Sequence, residues 1–309
     1  IPDSVVEIEN GAFSGCWGFD KLILSSNLKN IGSDAFSSCS GFTGSLIIPD
    51  SVESISSKAF SNCCKFDKLV LSKEMKTISE STFSFCNGFQ GSLLIPASIT
   101  AIESSAFYSC SGFTGELTLP DHLTIISSSS FSGCLGFTGS LTIPDTVVEI
   151  EDDAFAECSG FSGRLTLSTS LIKIGKSAFS NTNFECELII PNSVETIGES
   201  AFYRCKHLYG SLTIPNSVKE IGSEAFNRCS GFNGNLTLSN QMKNITTSLF
   251  NWCSFTGSLI IPNSVEEISS NAFGFCTNFD GTLTLSTNLK RLCSNSFLRD
   301  VKFKGQLII

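Results

Sequence analysis

The sequence predicts a right-handed β-solenoid, or horseshoe, of about 13 coils with a parallel β-sheet. A phenylalanine that usually follows an alanine recurs every 23 or 24 residues along the whole chain of 309 residues. Each copy also carries a short alternating apolar segment that ends in Pro or Ser. A unit of this length cannot bury its own apolar face, so successive copies must stack on one another.

The recurring phenylalanine, here called the landmark, sets the period of the coils. Cysteine follows it by three residues in 11 of 13 copies, and a second phenylalanine follows in nearly all of them. These positions explain why the chain holds 27 Phe and 14 Cys. Because the copies fill the chain, we expect a single domain over residues 1–309. The landmarks are Phe13, Phe36, Phe60, Phe83, Phe107, Phe131, Phe155, Phe179, Phe202, Phe226, Phe250, Phe273 and Phe297.

The elements of one coil can be followed over residues 210–229. Leu212-Thr213-Ile214 alternates apolar and polar side chains, which predicts a short strand with Leu and Ile inward. Pro215 ends the strand, because proline cannot donate a hydrogen bond to a neighbouring strand. The V-x-x-I-x-x-x-A-F-x-x-C pattern that follows fits neither the helix nor the strand period, so we expect an irregular or extended return path. A glycine-containing turn then leads into the next strand.

The string L-x-I-P-x-S-V-x-x-I-G-x-x-A-F-x-x-C, complete at residues 212–229, resembles the BspA-like (Treponema-type) leucine-rich repeat. The extra residue in G-F-T-G-S-L-T-I-P, at residues 136–144, is most similar to the protist versions. This family is found on surface proteins of oral and gut bacteria and of parasitic protists. The resemblance implies a secreted or cell-surface protein, often an adhesin for host matrix proteins or other cells, without catalytic residues.

Charge and composition exclude several classes of function. The net charge of −9 opposes binding to nucleic acid or to an anionic membrane surface. No apolar run approaches the ~18 residues of a membrane span. The two histidines, His122 and His207, stand at different places in their coils, so they indicate no Ser-His-Asp or Cys-His arrangement. We therefore expect neither an enzyme nor a cofactor.

The cysteine ladder permits three interpretations: disulfides, a metal site or buried thiols. Stacked coils would place neighbouring Cα atoms ~4.8 Å apart, within disulfide reach, but the unbroken run from Cys16 to Cys158 has seven members, which cannot all pair. Zinc sites need short Cys spacings, so no metal is expected. We favour small buried apolar side chains. The cysteines outside the ladder, Cys64, Cys186 and Cys293, are expected to be more exposed.

The outward position of the strand is the best candidate for binding. Its aliphatic members in the first coils would form an exposed stripe, which monomers rarely leave uncovered. Ordinary β propensity is the competing explanation, and a solvated face is the alternative for the polar row that precedes the inward Leu. The predicted protein-binding strand face comprises Lys21, Ile23, Ile47, Lys68, Val70, Leu94, Thr118, Thr142, Arg164 and Thr166.

Other surface positions supply weaker candidates. Trp and Tyr are favoured anchors of protein interfaces, although local packing would also explain those outside the core ladders. The sequons at Asn235 and Asn244 are possible glycosylation sites. The possible aromatic anchors are Trp17, Tyr108, Tyr203 and Trp252.

The leading interpretation is a non-enzymatic, secreted or cell-surface protein that binds or adheres to protein partners, either host matrix or cell-surface proteins or copies of itself. The alternative is a structural protein that stacks head to tail into extracellular filaments or a coat. Solenoids need polar caps, whereas the chain opens inside a repeat at Ile1 and closes on the uncapped stretch Gly305–Ile309. We expect it to be part of a longer array, with the head-to-tail stack as the other possibility.

Overall fold

The computed structural model describes residues 1–299 and 302–304; the uncapped stretch Gly305–Ile309 lies outside them. The chain divides into two compact units. The N-terminal unit comprises Ile1–Val147 and Ala154–Phe161, and the C-terminal unit comprises Val148–Asp153 and the described residues from Ser162 onward. Both units are stacks of short parallel strands joined by turns, without helix in the described ranges. The predicted β-solenoid is therefore confirmed.

One set of strands corresponds to the predicted L-T-I segment, and we call its members the face strands. Where the segment is regular, its residues alternate between buried and exposed, because successive side chains of a strand point to opposite sides. The face strands are β3 (Gly44–Ile47), β5 (Phe66–Val70), β9 (Leu141–Thr142), β11 (Leu165–Thr166), β14 (Gly210–Thr213), β16 (Phe232–Thr237), β18 (Leu259–Ile260) and β20 (Leu283–Thr284).

A second set, the return strands, contains the isoleucine of the V-x-x-I pattern. The return path is therefore more regular than predicted. The sequence did not predict these strands, because a two-residue strand is too short to show a period. The return strands are β1 (Glu7–Ile8), β2 (Asn30–Ile31), β4 (Ser54–Ile55), β6 (Thr77–Ile78), β7 (Ala101–Ile102), β8 (Ile125–Ile126), β10 (Glu149–Ile150), β12 (Lys173–Ile174), β13 (Thr196–Ile197), β15 (Glu220–Ile221), β17 (Asn244–Ile245), β19 (Glu267–Ile268) and β21 (Arg291–Leu292).

Strands of neighbouring coils pair in parallel within each unit. In the N-terminal unit the return strands form the ladders β1-β2-β4 and β6-β7, and the face strands form the pair β3-β5. In the C-terminal unit the return strands form β10-β12-β13-β15 and β17-β19-β21, and the face strands form β14-β16 and β18-β20. In each unit the face strands thus pair two at a time.

A chain of turns follows each return strand and carries the landmark phenylalanine. The residues two before and two after each landmark have a left-handed backbone, as Asp34 (φ 54°) and Ser38 (φ 60°) do around Phe36. The N–H of Phe36 donates to the carbonyl of Ala59 in the next coil at 2.8 Å, whereas the N–H of Ala35 closes a local turn. Because these two kinds of bond alternate, the backbone N–H and C=O groups find hydrogen-bond partners without a helix or a long strand.

Two ladders of phenylalanine form the core. In the N-terminal unit the landmark rings from Phe36 to Phe131 stack coil on coil with centroids 5.2–5.9 Å apart. The second phenylalanine of each coil meets the landmark edge to face, as Phe113 meets Phe107 at 6.3 Å and 76°. Both geometries suit rings with a negative face and a positive edge. The landmark ladder continues in the C-terminal unit from Phe179 to Phe273.

The cysteine ladder consists of buried free thiols from Cys39 onward. Each sulfur donates to the carbonyl oxygen of the landmark in the preceding coil, as Cys110 does to Phe83 at 3.0 Å and Cys229 to Phe202 at 3.0 Å. The thiol therefore fills a small apolar space and also satisfies a buried carbonyl group.

The cysteines outside the ladder differ from one another. Cys64 and Cys293 are partly exposed, as expected, but Cys186 is buried, so the prediction for Cys186 was wrong. Cys186 follows Glu185 at the place where most copies have the turn glycine, and its sulfur accepts a bond from the N–H of Leu165 at 3.4 Å. The side chain is therefore enclosed and its sulfur is engaged by the neighbouring coil.

Candidate binding surfaces

The strand face of the N-terminal unit presents the predicted apolar stripe. Ile23, Ile47, Val70 and Leu94 occupy the same position in four consecutive coils and are 76%, 57%, 38% and 77% exposed, respectively. The residues on either side of the outward position, such as Leu46, mostly point into the core. Four large aliphatic side chains in a row are thus left in water, although the neighbouring inward Leu and Ile positions are largely buried.

Two clefts lie along this stripe. One has a volume of about 360 Å³ and is lined by Ile23 and Ile47, and the other has a volume of about 680 Å³ and is lined by Val70 and Leu94. Ile47 and Val70 are register partners in the β3-β5 pair. The segments that carry Ile23 and Leu94 belong to no face strand among residues 1–299 and 302–304. The clefts therefore open where the strand pairing stops.

Lysines border both clefts. Lys21 lines the smaller cleft, and Lys68 and Lys73 line the larger one together with Asp67. Within the described part of the chain, Lys21 and Lys68 form no ion pair, and Lys73 approaches Asp50 only at 4.0 Å. An apolar centre with charged groups at its edge is the usual anatomy of a protein interface.

The remaining predicted strand-face residues are exposed but do not extend the stripe. Thr118 and Thr142 lie in the N-terminal unit, and Arg164 and Thr166 lie in the C-terminal unit. Threonine keeps the branched β-carbon that suits a strand and replaces an apolar group by a hydroxyl. The surface of the N-terminal unit therefore changes from apolar to polar after Leu94.

Two of the possible aromatic anchors lie in the N-terminal unit. Trp17 is highly exposed. Tyr108 is half-buried and packs edge to face against Phe85, with centroids 5.1 Å apart. Trp17 and Tyr108 belong to coils four repeats apart, so the structure does not bring them together as one anchor.

The other two aromatic anchors lie in the C-terminal unit beside arginines that sequence analysis missed. Arg204 lies over the ring of Tyr203 at 5.2 Å, and Trp252 stacks on Phe275 at 4.4 Å. Comparison of the copies position by position, two residues after the landmark, would have found these arginines. In five successive coils that position holds Arg204, Arg228, Trp252, Phe275 and Arg299.

Both predicted glycosylation sites are exposed asparagines. Asn235 belongs to β16 and lines a cleft of about 540 Å³ with Thr237 and Ile260. Asn244 belongs to β17. Glycosylation itself stays a prediction.

No arrangement for catalysis comes together in the described ranges. His122 lies in the N-terminal unit and His207 in the C-terminal unit, both exposed. Among residues 1–299 and 302–304, no group of three or more His, Cys, Asp or Glu side chains could hold a metal ion. The same residues include no helix of the length and apolarity that crossing a membrane requires.

Several solved structures share the fold. A leucine-rich repeat protein from Bacteroides ovatus is 29% identical with a TM-score of 0.79, over 96% of this chain and 81% of that one. A leucine-rich cell-surface protein from Faecalibacterium prausnitzii is 25% identical with a TM-score of 0.53, over 99% and 78%. The pneumococcal vaccine antigen PcpA, 23% identical with a TM-score of 0.54 over 95% and 78%, is similar in fold alone.

Comparison of sequences identifies the family. The model of the BspA type leucine-rich repeat region matches residues 1–114, 84–209 and 208–304. No curated protein sequence is detectably similar to the chain. The structures named above are bacterial, and the likeness to protist versions stays a prediction. Because the family model accounts for nearly every residue, the chain belongs to the BspA-type leucine-rich repeat family.

Proposed function

We propose that this protein is a non-enzymatic adhesion protein, secreted or displayed at the cell surface, that binds a protein partner through the strand face of its N-terminal unit. The exposed stripe of Ile23, Ile47, Val70 and Leu94 carries the proposal. The family is a repeat scaffold. The description of the Faecalibacterium relative as a cell-surface protein supports the location.

The stripe has enough apolar area to contribute to binding. Complete burial of an exposed Ile or Leu side chain contributes roughly 1.5–3 kcal/mol. Ile23 and Leu94 are about three-quarters exposed, so covering the four residues would gain several kcal/mol. This gain offsets part of the cost of association, which includes lost translational and rotational freedom.

The lysines at the clefts indicate the chemistry of the partner. Lys21 and Lys68 have no ion partner among the residues that the structure describes, so they are available to carboxylates of a ligand. A protein surface supplies aliphatic side chains and carboxylates side by side. The net charge of −9 disfavours nucleic acid as the partner.

The experiment replaces the stripe with the residue found further along the same ladder. The variant I23T/I47T/L94T carries threonine, as Thr118 and Thr142 do, and keeps the strand propensity. The matched control I189T/I260T makes the same change at the same ladder position of the C-terminal unit, where both isoleucines are also exposed. Surface plasmon resonance would measure binding of the purified chains to immobilised fibronectin, fibrinogen and laminin.

We expect the wild-type chain to bind at least one of these matrix proteins and the control to bind equally. The stripe variant should bind at least about tenfold more weakly, because a loss of 1.4 kcal/mol suffices for that factor. Circular dichroism would establish that all three chains are folded. Equal binding by the stripe variant, or no binding by the wild-type chain, would overturn the proposal.

A further inference from the structure

Five successive coils of the C-terminal unit place cationic and aromatic side chains in one column. Arg204, Arg228, Trp252, Phe275 and Arg299 each stand two residues after a landmark. The N–H of each of the first four donates to a carbonyl of the next coil at 2.7–2.9 Å, as Arg204 does to Asn227. This continuous ladder of bonds fixes the five residues in a line. The line spans about 20 Å, taking ~4.8 Å for each coil step.

The column places large side chains at a backbone conformation that favours small residues. All five residues have left-handed φ angles of 59–65°, a conformation that costs side-chain-bearing residues roughly 1–2 kcal/mol and suits glycine or asparagine best. The equivalent position holds Gly15, Gly133 and Asn62 in other coils. Bulky Trp252 and Phe275, like Phe85 in the N-terminal unit, therefore stand where the backbone itself favours small residues.

The arginines of the column form no ion pairs with the residues that the structure describes. Arg204, Arg228 and Arg299 are exposed, and none of the three forms an ion pair within residues 1–299 and 302–304. By contrast, Lys219 and Lys290 each pair with a glutamate at 2.7–2.8 Å. In a chain with a net charge of −9, three guanidinium groups that form no ion pair within the described residues lie along one line and make a local cationic ridge.

The aromatic pair adds to the positive electrostatic potential of the cationic ridge. Trp252 and Phe275 are stacked at 4.4 Å with only 7° between their planes, and Arg299 lies over the ring of Phe275 at 5.5 Å. The negative ring faces are thus directed at each other and at a cation, which leaves the positive ring edges for contact with a ligand. Trp252 is 48% exposed.

We propose that this column is a second binding site, and that it takes an acidic segment of a protein partner. Guanidinium groups bind carboxylates through paired, charge-assisted hydrogen bonds, and Arg and Trp are enriched among the residues that dominate protein interfaces. A length of about 20 Å accommodates roughly six residues of extended chain. A long polyanion would be repelled by the negative charge of the rest of the protein, whereas a short acidic segment would experience less repulsion.

The test uses the full chain and a defined probe. The probe is a fluorescein-labelled peptide of twelve alternating Glu and Ser residues, with a Gln-Ser peptide as its uncharged counterpart. The variant R204S/R228S/R299S introduces serine, which two other coils carry at this position as Ser38 and Ser109. The charge-matched control K58S/K65S/K76S removes three exposed lysines of the N-terminal unit. Fluorescence anisotropy measures the dissociation constant of each pair.

We expect the wild-type chain and the lysine control to bind the Glu-Ser peptide with similar affinity, and binding to weaken as salt increases. The arginine variant should bind about tenfold more weakly, because it loses three exposed ion pairs with the peptide, each of which raises the affinity a few-fold. Equal binding of the Gln-Ser peptide, unchanged binding by the arginine variant or no binding by the wild-type chain would overturn the proposal. Binding of heparin without binding of the peptide would also overturn it, because the ligand would then be a polysaccharide.

Discussion

Alkaline pH is expected to unfold the N-terminal unit, because its cysteine ladder is stable only as neutral thiols. Burial raises the pKa of Cys86 and of Cys134 to about 12. Burial also raises the pKa of Cys63, Cys110 and Cys158 well above the usual range. A cysteine in an unfolded chain has a pKa near 8.5, so the unfolded chain loses these protons first.

The sign and size of the effect follow from this difference. Below about pH 8.5 both states hold the protons and the thiols contribute their full stability. As the pH rises from there towards the folded-state pKa values, each thiol lowers the free energy of unfolding by about 1.4 kcal/mol per pH unit. Five thiols together give about 7 kcal/mol per pH unit, comparable with the roughly 5–15 kcal/mol that stabilises a typical domain.

Urea denaturation at pH 7.0–10.0 in the presence of a reductant, followed by circular dichroism, would measure this slope. Lysine and tyrosine have pKa values of about 10.4 and 10, so their charges change little over most of this range. The variant Cys134→Ser supplies a control, because its hydroxyl can still donate to the carbonyl that Cys134 reaches on Phe107. Its slope should be shallower by about 1.4 kcal/mol per pH unit. A free energy of unfolding that stays constant up to pH 10 would refute a neutral, buried ladder.

Two further substitutions test how the coils are held together. Phe107→Ala should lower the free energy of unfolding by about 3–5 kcal/mol in chemical denaturation, because Phe107 is fully buried and its removal leaves a cavity. The control Phe85→Ser, at an exposed left-handed position, should lower it by less than about 1 kcal/mol. Equal losses for the two variants would contradict the packing argument. Ser239→Ala should cost about 1–3 kcal/mol, because the hydroxyl donates to a carbonyl of the preceding coil at 2.8 Å. The double change Ser239→Pro with Gln241→Ser should recover most of the lost stability, since Ser193 provides the same bond two residues after a proline. Failure of this rescue would show that loss of the hydroxyl's hydrogen bond does not account for the destabilisation.

The fold could be predicted because its strongest signals depend on burial. Every coil must fill the same enclosed space, so the landmark phenylalanine and the inward Leu and Ile recur at a fixed period. Phe107 and Phe113, for example, are both buried, and each stacks on the equivalent phenylalanine of the next coil, Phe131 and Phe137 respectively. The cysteine ladder was predicted for the same reason, since a small buried side chain recurs where space is small.

The details that sequence analysis missed depend on backbone geometry. The two-residue return strands and the left-handed turn residues are held by bonds between coils, such as that from Phe36 to Ala59 at 2.8 Å. A residue pattern read along the chain does not reveal these bonds. Cys186 was misjudged because it falls outside the ladder, although its thiol is buried and its sulfur accepts a bond from the N–H of Leu165. In the N-terminal unit, β3 pairs with β5 but not with the segments that carry Ile23 and Leu94, and the residue pattern does not predict this difference either.

The two candidate surfaces differ in how sequence could reveal them. The apolar stripe was visible because Ile23 and Ile47 depart from the polar character expected of an outward residue. The arginine column was not recognised, because Trp252 was the only one of its members that drew attention within its own coil. The left-handed position two residues after the landmark accepts Gly15, Glu157 or Trp252 with the same backbone conformation, so the side chain there varies without changing the fold. Positions that the fold leaves free are where a solenoid can carry specific binding chemistry, and their pattern emerges only when equivalent residues of successive coils are compared.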